Sequence, residues 1–167
     1  MKTTAAAFAA FAAFAAALLA LATPAPAAAV EFRHPLDDKP LDVPLPLDEA
    51  RTEAVETFHK TGENPYIGNA QATEEGATLY AENCAACHMP EGSGGMGPSF
   101  LDEQWNYPRN KTAVGQFEVL WAGATGAMQS FKDRLSQDDM LKVIAQIADL
   151  RRQAGVGEEM AKQPEGE

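Results

Sequence analysis

The sequence predicts an all-α fold of about four helices preceded by an extended N-terminal arm. Apolar residues recur at helical spacing in four windows, and cap residues flank those windows. No window shows a convincing length of strand-like alternation. The chain has 167 residues, which suits one domain of ordinary size with extra sequence at its ends.

Residues 1–29 stand apart from that domain. Met1-Lys2-Thr3-Thr4 carries one positive charge, Ala5 to Ala22 is uninterruptedly apolar, and Thr23-Pro24-Ala25-Pro26 breaks the run before Ala27-Ala28-Ala29. A charged start, an apolar run and an Ala-x-Ala ending form the pattern of a secretory signal peptide cleaved near Ala29. The rival is a membrane anchor, because the run approaches bilayer-spanning length. Most of it is Ala, however, and no positive cluster follows to stop transfer. The mature chain is therefore expected outside the cytoplasm with no transmembrane segment.

Glu31 to Pro46 carries four prolines and several Asp and Lys residues without helical or strand period, so it reads as an extended arm. Asp48 is placed to cap the first helix, with Ala50, Ala54, Val55 and Phe58 on one face and Gly62 as its stop. A turn-rich connector, Glu63-Asn64-Pro65-Tyr66 to Asn69, follows. The second helix is expected over Ala72 to Asn83, with Gly76, Leu79 and Tyr80 at i, i+3 and i+4. A glycine inside a helix costs roughly 1 kcal/mol relative to Ala, so Gly76 predicts the close approach of another helix. The third runs from Thr112 to Ala122, with Val114, Phe117, Leu120 and Trp121 spaced for one buried face. The fourth has the strongest signal. Ser136-x-x-Asp139 resembles a capping box with Asp for the usual Glu. Leu141, Ile144, Ile147, Ala148 and Leu150 then recur, Arg151-Arg152 complements the C-terminal dipole, and Gly155 ends the helix. The remainder is a polar tail.

The chain carries 13 Lys and Arg against 24 Asp and Glu, a net of −11. Loss of residues 1–29 removes only Lys2, so 13 becomes 12 and the net becomes −12. That excess excludes binding to nucleic acid, whose phosphates demand the opposite sign. It serves either solubility or steering towards a basic partner, and the count does not separate the two.

Only two cysteines are present, and they sit three apart in Cys84-Ala85-Ala86-Cys87-His88. A staple across so small a loop contributes little, since stabilisation grows with the loop closed. A dithiol oxidoreductase needs βαβ patterning that is missing. A structural zinc needs four ligands, and Cys84, Cys87 and His88 give three with no second cysteine pair. A covalent haem uses every residue: two thiols take up the vinyl groups and the next imidazole lies under the iron. Attachment of c-type haem outside the bacterial cytoplasm also agrees with export.

The opposite face of the iron decides function. A thioether there favours Fe(II) and closes the site, which means electron transfer. An open or displaceable sixth position would mean a gas-binding or peroxidase-like protein. Of six methionines, Met1 leaves with the leader, Met89 follows the proximal histidine, Met140 lies on an apolar helix face and Met160 is in the tail. Met96 follows His88 by eight residues in a Gly-rich run, tight for a chain passing around a haem edge. Met128 stands 40 residues past His88 in Ala122-Gly123-Ala124-Thr125-Gly126-Ala127-Met128, whose small residues let backbone approach a flat macrocycle. Met128 is the favoured ligand, with Met96 and a plain core methionine as the alternatives. The first and last core helices, the one from Ala72 to Asn83 and the one that Gly155 ends, should cross at Gly76 and cover the haem edge. So small a domain takes much of its core from the macrocycle, and the apoprotein is expected to fold poorly.

The order helix, CxxCH, loop, Met, helix resembles class I c-type cytochromes. Over residues 31–152 a narrower likeness appears. Arg51-Thr52-Glu53-Ala54-Val55, Thr61-Gly62-Glu63-Asn64-Pro65-Tyr66, Gly97-Pro98-Ser99, Trp105-Asn106-Tyr107-Pro108, Val114-Gly115 and above all Gly123-Ala124-Thr125-Gly126-Ala127-Met128 resemble the cytochrome cL family. The CxxCH is shared by a superfamily, whereas the Tyr-Pro and Gly-Ala-Thr-Gly-x-Met segments are narrower. The chain departs from the family just after Met128, where Gln129-Ser130-Phe131 replaces a Gly-Pro-Met-Trp pattern.

The resemblance implies a class I cytochrome c-like fold around one haem c, held by Cys84 and Cys87 with His88 and Met128 as axial ligands. It divides the chain into a signal peptide (1–29), an N-terminal extension with one helix (30–70), a cytochrome c domain (71–153) and a polar C-terminal tail (154–167). It also implies a periplasmic electron carrier, not an enzyme. Its donor would be a PQQ-dependent methanol dehydrogenase and its acceptor another small cytochrome c. The likeness tips the acidic excess towards docking. A carrier fixed within a complex is the remaining rival. A calcium ion near the haem is left open, since acidic residues are too plentiful to pick ligands.

Overall fold

The computed structural model describes residues 29–156. The signal peptide expected over 1–29 and the polar tail over 154–167 lie outside the described residues except at their inner ends. Five helices form among the described residues: α1 (Glu53–Thr61), α2 (Ala70–Asn83), α3 (Ala85–His88), α4 (Ala113–Ala122) and α5 (Gln137–Gln153), with a 3-10 turn at Pro108–Lys111 ahead of α4. No strand forms among them; the lone bridge pairs Arg33 with Pro40. None of these helices is long and apolar enough to cross a membrane.

Local chemistry sets most helix ends. Ser136 and Asp139 complete a reciprocal capping box at the start of α5. At its far end Val156 N–H reaches the Arg151 carbonyl and Gly155 N–H the Arg152 carbonyl, across a left-handed Gly155. Thr112, expected as the first residue of its helix, instead caps α4 through Gly115 N–H. Two further starts differ from the sequence reading. Asn69 caps α2, which opens at Ala70 rather than Ala72. Thr52, not Asp48, caps α1. The Asp48 side chain instead accepts from Ala50 N–H within a turn, and the Thr52 hydroxyl also donates to Asp138 of α5 at 2.6 Å.

The core gathers around α2, α4 and α5. Gly76 lies against the α5 backbone at Lys142, so these helices cross where the interior glycine predicts. The arm is less extended than its prolines suggest. It turns back on itself between Arg33 and Pro40 and buries Phe32, whose ring stands 5.8 Å from Phe58 and 5.5 Å from Phe117. Trp121 Nε1 donates to the Asp42 carbonyl and Gln137 Nε2 to the Pro44 carbonyl, fixing the arm across α4 and the start of α5. With the arm in place α4 is buried nearly all round, Glu118 included at 1 % exposure. Its carboxylate accepts both Arg109 Nε (2.8 Å) and Nη2 (2.5 Å), and Arg33 N–H at 2.7 Å. A buried carboxylate held by a guanidinium fork and a backbone donor is satisfied rather than stranded.

Candidate haem site

The Cys84–His88 segment continues α2. Cys84 N–H still bonds the Tyr80 carbonyl, then Ala85–His88 form one further turn, α3, that ends at Met89 with φ of 65°. Tyr80, buried in the core, donates its hydroxyl to the Met89 carbonyl at 2.8 Å and so pins the end of that turn. Cys84 and Cys87 are both free thiols. Burial pushes the Cys84 thiol up to about 11, whereas a redox dithiol works through a thiol of lowered pKa. This environment counts against the oxidoreductase reading.

His88 is buried and oriented. Its Nδ1 lies 2.9 Å from the Pro98 carbonyl. A carbonyl only accepts, so Nδ1 carries the proton and the neutral ring keeps a lone pair on Nε2, as a metal ligand requires. The Phe100 ring stacks on the imidazole at 4.5 Å with planes 19° apart. Gly97 passes so near that a Cβ would stand 2.5 Å from His88 Cε1. Gly97 and Pro98 thus belong to the histidine's seat, which explains the Gly-Pro step the sequence shows there.

The second wall is the loop after α4. Gly123 starts it at φ of 82°, and a Cβ there would stand 2.9 Å from both the Met128 carbonyl and Ser130 N. Ala124 N–H closes on the Met128 carbonyl at 2.8 Å, and Ser130 Oγ donates to the Trp121 carbonyl at 2.5 Å. Tyr107 steadies the far side: its oxygen accepts Thr125 N–H at 3.1 Å and lies 2.9 Å from Thr125 Oγ1. The short loop is therefore braced at four points, although it contains neither helix nor strand.

Both walls face one cavity of about 490 Å³. Cys84, Cys87, His88 and Met128 all border it, with Phe100, Trp105, Tyr107 and Leu120 among the apolar lining. Met96 borders it too but is 77 % exposed, while Met128 is half-buried against the core. Two free thiols, an imidazole with its outer nitrogen available and a thioether on a separate loop fit the donor set of a c-type haem. The buried Oδ1 of Asn110, also on the wall, has no partner. No group of three or more His, Cys, Asp or Glu among the described residues is arranged to hold a metal ion.

Sequence reasoning missed one contributor to this site: the seat of His88 depends on Phe100, whose ring carries no motif signal. Tyr107, singled out in the Tyr-Pro segment, is placed by the 3-10 turn that Pro108 announces.

Residues 71–147 match the family described as "Cytochrome C oxidase, cbb3-type, subunit III". Cytochrome c-L of Methylorubrum extorquens is 39 % identical over 134 residues, 78 % of this chain and 68 % of that protein. The crystal structure of cytochrome cL from Hyphomicrobium denitrificans superposes with a TM-score of 0.67 at 38 % identity, covering 72 % of this chain and 73 % of that one. Cytochrome cL from the marine methylotroph Methylophaga aminisulfidivorans gives 0.68 at 29 % identity, covering 81 % and 98 %. The chain belongs to the cytochrome cL family, with the class I cytochrome c fold and the role of an electron-transfer protein rather than an enzyme.

Proposed function

We propose that this chain is a periplasmic single-haem cytochrome carrying electrons one at a time from a PQQ-dependent methanol dehydrogenase to another small cytochrome c. Cys84 and Cys87 would hold the haem through thioether links, with His88 and Met128 supplying the ligands to its iron. When bound, haem c supplies a one-electron Fe(II)/Fe(III) couple. The observation that carries the reading is that the CxxCH turn and the Met128 loop, 40 residues apart, border one apolar cavity.

The chain's own residues do the rest. His88 offers Nε2 because Pro98 keeps the proton on Nδ1. Met128 offers a neutral, soft donor from a loop braced against movement, which favours the reduced state and leaves no open position. Trp105, Tyr107 and Leu120 supply apolar lining to the cavity. Tyr107 and Trp105 are tempting as electron relays, but packing accounts for both. The acidic excess, −12 in the mature chain once Lys2 is lost from the −11 of the full sequence, supplies transient docking to a basic surface.

The test has two stages. The mature protein should be red, with the sharp visible bands of a low-spin six-coordinate haem and a mass increased by one haem. Stopped-flow reduction by calcium- and lanthanide-type methanol dehydrogenases should then slow steeply with ionic strength. A colourless protein, or a rapid and complete Soret shift on adding carbon monoxide to the reduced form, would overturn the carrier reading. A rate indifferent to salt would overturn the diffusing docking mode.

A further inference from the structure

Arg151 and Arg152 read alike in the sequence, yet the fold separates them. Arg152 is exposed and pairs with Asp149. Arg151 is 2 % exposed, and burying a guanidinium costs several kcal/mol unless its donors are met. Its nearest carboxylate, on the exposed Glu103, stands 3.9 Å away, too loose to neutralise it. Nη1 donates instead to the carbonyls of Phe100 and Asp102, the guanidinium carbon lies 4.8 Å from the Trp105 ring centroid, and Nε has no partner. A dipole-complementing arginine could do its work in solvent, as Arg152 does. Arg151 has been taken inside.

What it touches lies beside the redox centre. Phe100 and Trp105 both line the cavity, and the Phe100 ring is the one stacked on His88. A chain of contacts therefore runs from the last turn of α5, through one guanidinium and the Phe100 backbone, to the plane of the His88 imidazole. The same group is a fixed positive charge behind two aromatic walls, where the dielectric is low.

We propose that Arg151 is a positioning residue for the redox centre, fixing Phe100 over His88 and raising the reduction potential. The inference rests on the haem reading above. A nearby buried cation favours the form of lower positive charge, and a held imidazole keeps one ligand geometry through both oxidation states.

The holoprotein provides the test. Arg151→Met should move the Fe(II)/Fe(III) equilibrium at least tenfold towards Fe(III), about 59 mV for one electron, and should alter the low-spin ferric EPR signal. Arg151→Lys keeps the charge and a donor for the Phe100 carbonyl and should recover most of both. Phe100→Leu keeps the carbonyl that Arg151 binds but removes the stacked ring, so it too should alter the EPR signal. Adding Arg151→Met to it should change that signal little further. An Arg151→Met protein with wild-type potential and EPR spectrum would overturn the proposal, as would a lysine that recovers neither. Should Arg151→Met fail to accumulate, an unaltered EPR signal in Phe100→Leu overturns it alone. A colourless wild-type protein would instead sink the haem reading itself.

Discussion

A Cβ built on Gly76 would stand 2.1 Å from the carbonyl oxygen of Lys142, and 2.7 Å from its carbonyl carbon. The obstacle is backbone, which no rotamer change can move aside, so α2 and α5 would have to part. Gly76→Ala would gain about 1 kcal/mol of helix propensity while overpacking the crossing by about 3 kcal/mol. A net loss of about 2 kcal/mol is expected, visible as a lower urea midpoint at unchanged m-value. An alanine variant as stable as the parent would show that the crossing is loose.

The two methionines at the cavity should behave oppositely. Met128→Ala should lower the reduction potential and open the sixth position to carbon monoxide. Met96→Ala, at a side chain 77 % exposed, should leave the visible spectrum and the potential nearly unchanged. Optical redox titration of both variants decides the matter, and the reverse pattern would reassign the ligand.

Glu118 is buried to 1 % exposure, and Arg109 is its only side-chain partner of opposite charge among the described residues. Arg109→Met strands the carboxylate with a single backbone donor from Arg33. Breaking a buried pair from one side costs about 3 kcal/mol or more. Denaturant unfolding should show that loss. Combining it with Glu118→Gln should give back part of it, because the stranded charge is then gone.

Asp138 links three elements. Its Oδ1 accepts the hydroxyls of Thr52 (2.6 Å) and Tyr66 (2.7 Å), and Oδ2 stands 3.0 Å from Lys142 Nζ. Burial alone would push the carboxyl up, but those two hydrogen bonds and the ammonium outweigh it and hold the carboxyl below its ordinary value. A depressed folded pKa stabilises fully above the unfolded value, about 3.9, and loses that contribution as pH falls through the folded one. The stability gap between the parent and Asp138→Asn should therefore be constant from neutral pH to about 5 and narrow below about 3.9. Urea titrations at pH 7, 5 and 3 measure it. A gap that widens on acidification would contradict the assignment. Lys142, whose pKa is raised by Glu75 and Asp138 against the cost of burial, stays charged across that whole range.

Much of the fold was legible because it is written locally. Ser136 and Asp139, Thr112, Gly62 and Gly155 each act within a few residues of themselves, and the helices they bound follow. Cys84, Cys87 and His88 are likewise local: they lie within five residues of one another and border one cavity. Thr52 was not legible as a cap. Asp48 offers the stronger local signal, and the competing choice is settled by Asp138, 86 residues away. The burial of Glu118 was not legible, since a charge on a helix usually marks its wet side and its partners Arg109 and Arg33 come from a turn and from an arm with no period. Phe32 was lost for the same reason. Arg151 was legible as a cation at a helix end, but its burial was not, because burial behind Trp105 and Phe100 depends on a loop without regular structure.

The reach of the arm and the connector to α4 and α5 also bears on how fast this molecule forms. Helical proteins usually fold quickly because their contacts are near neighbours along the chain. Here the decisive pairings are distant: Asn64 with Leu141 across 77 positions, Arg33 with Glu118 across 85. Each closure spends chain entropy before any reward arrives. The refolding rate should accordingly sit nearer that of mixed α/β domains than of simple bundles, and the ring-bearing arm should dock late.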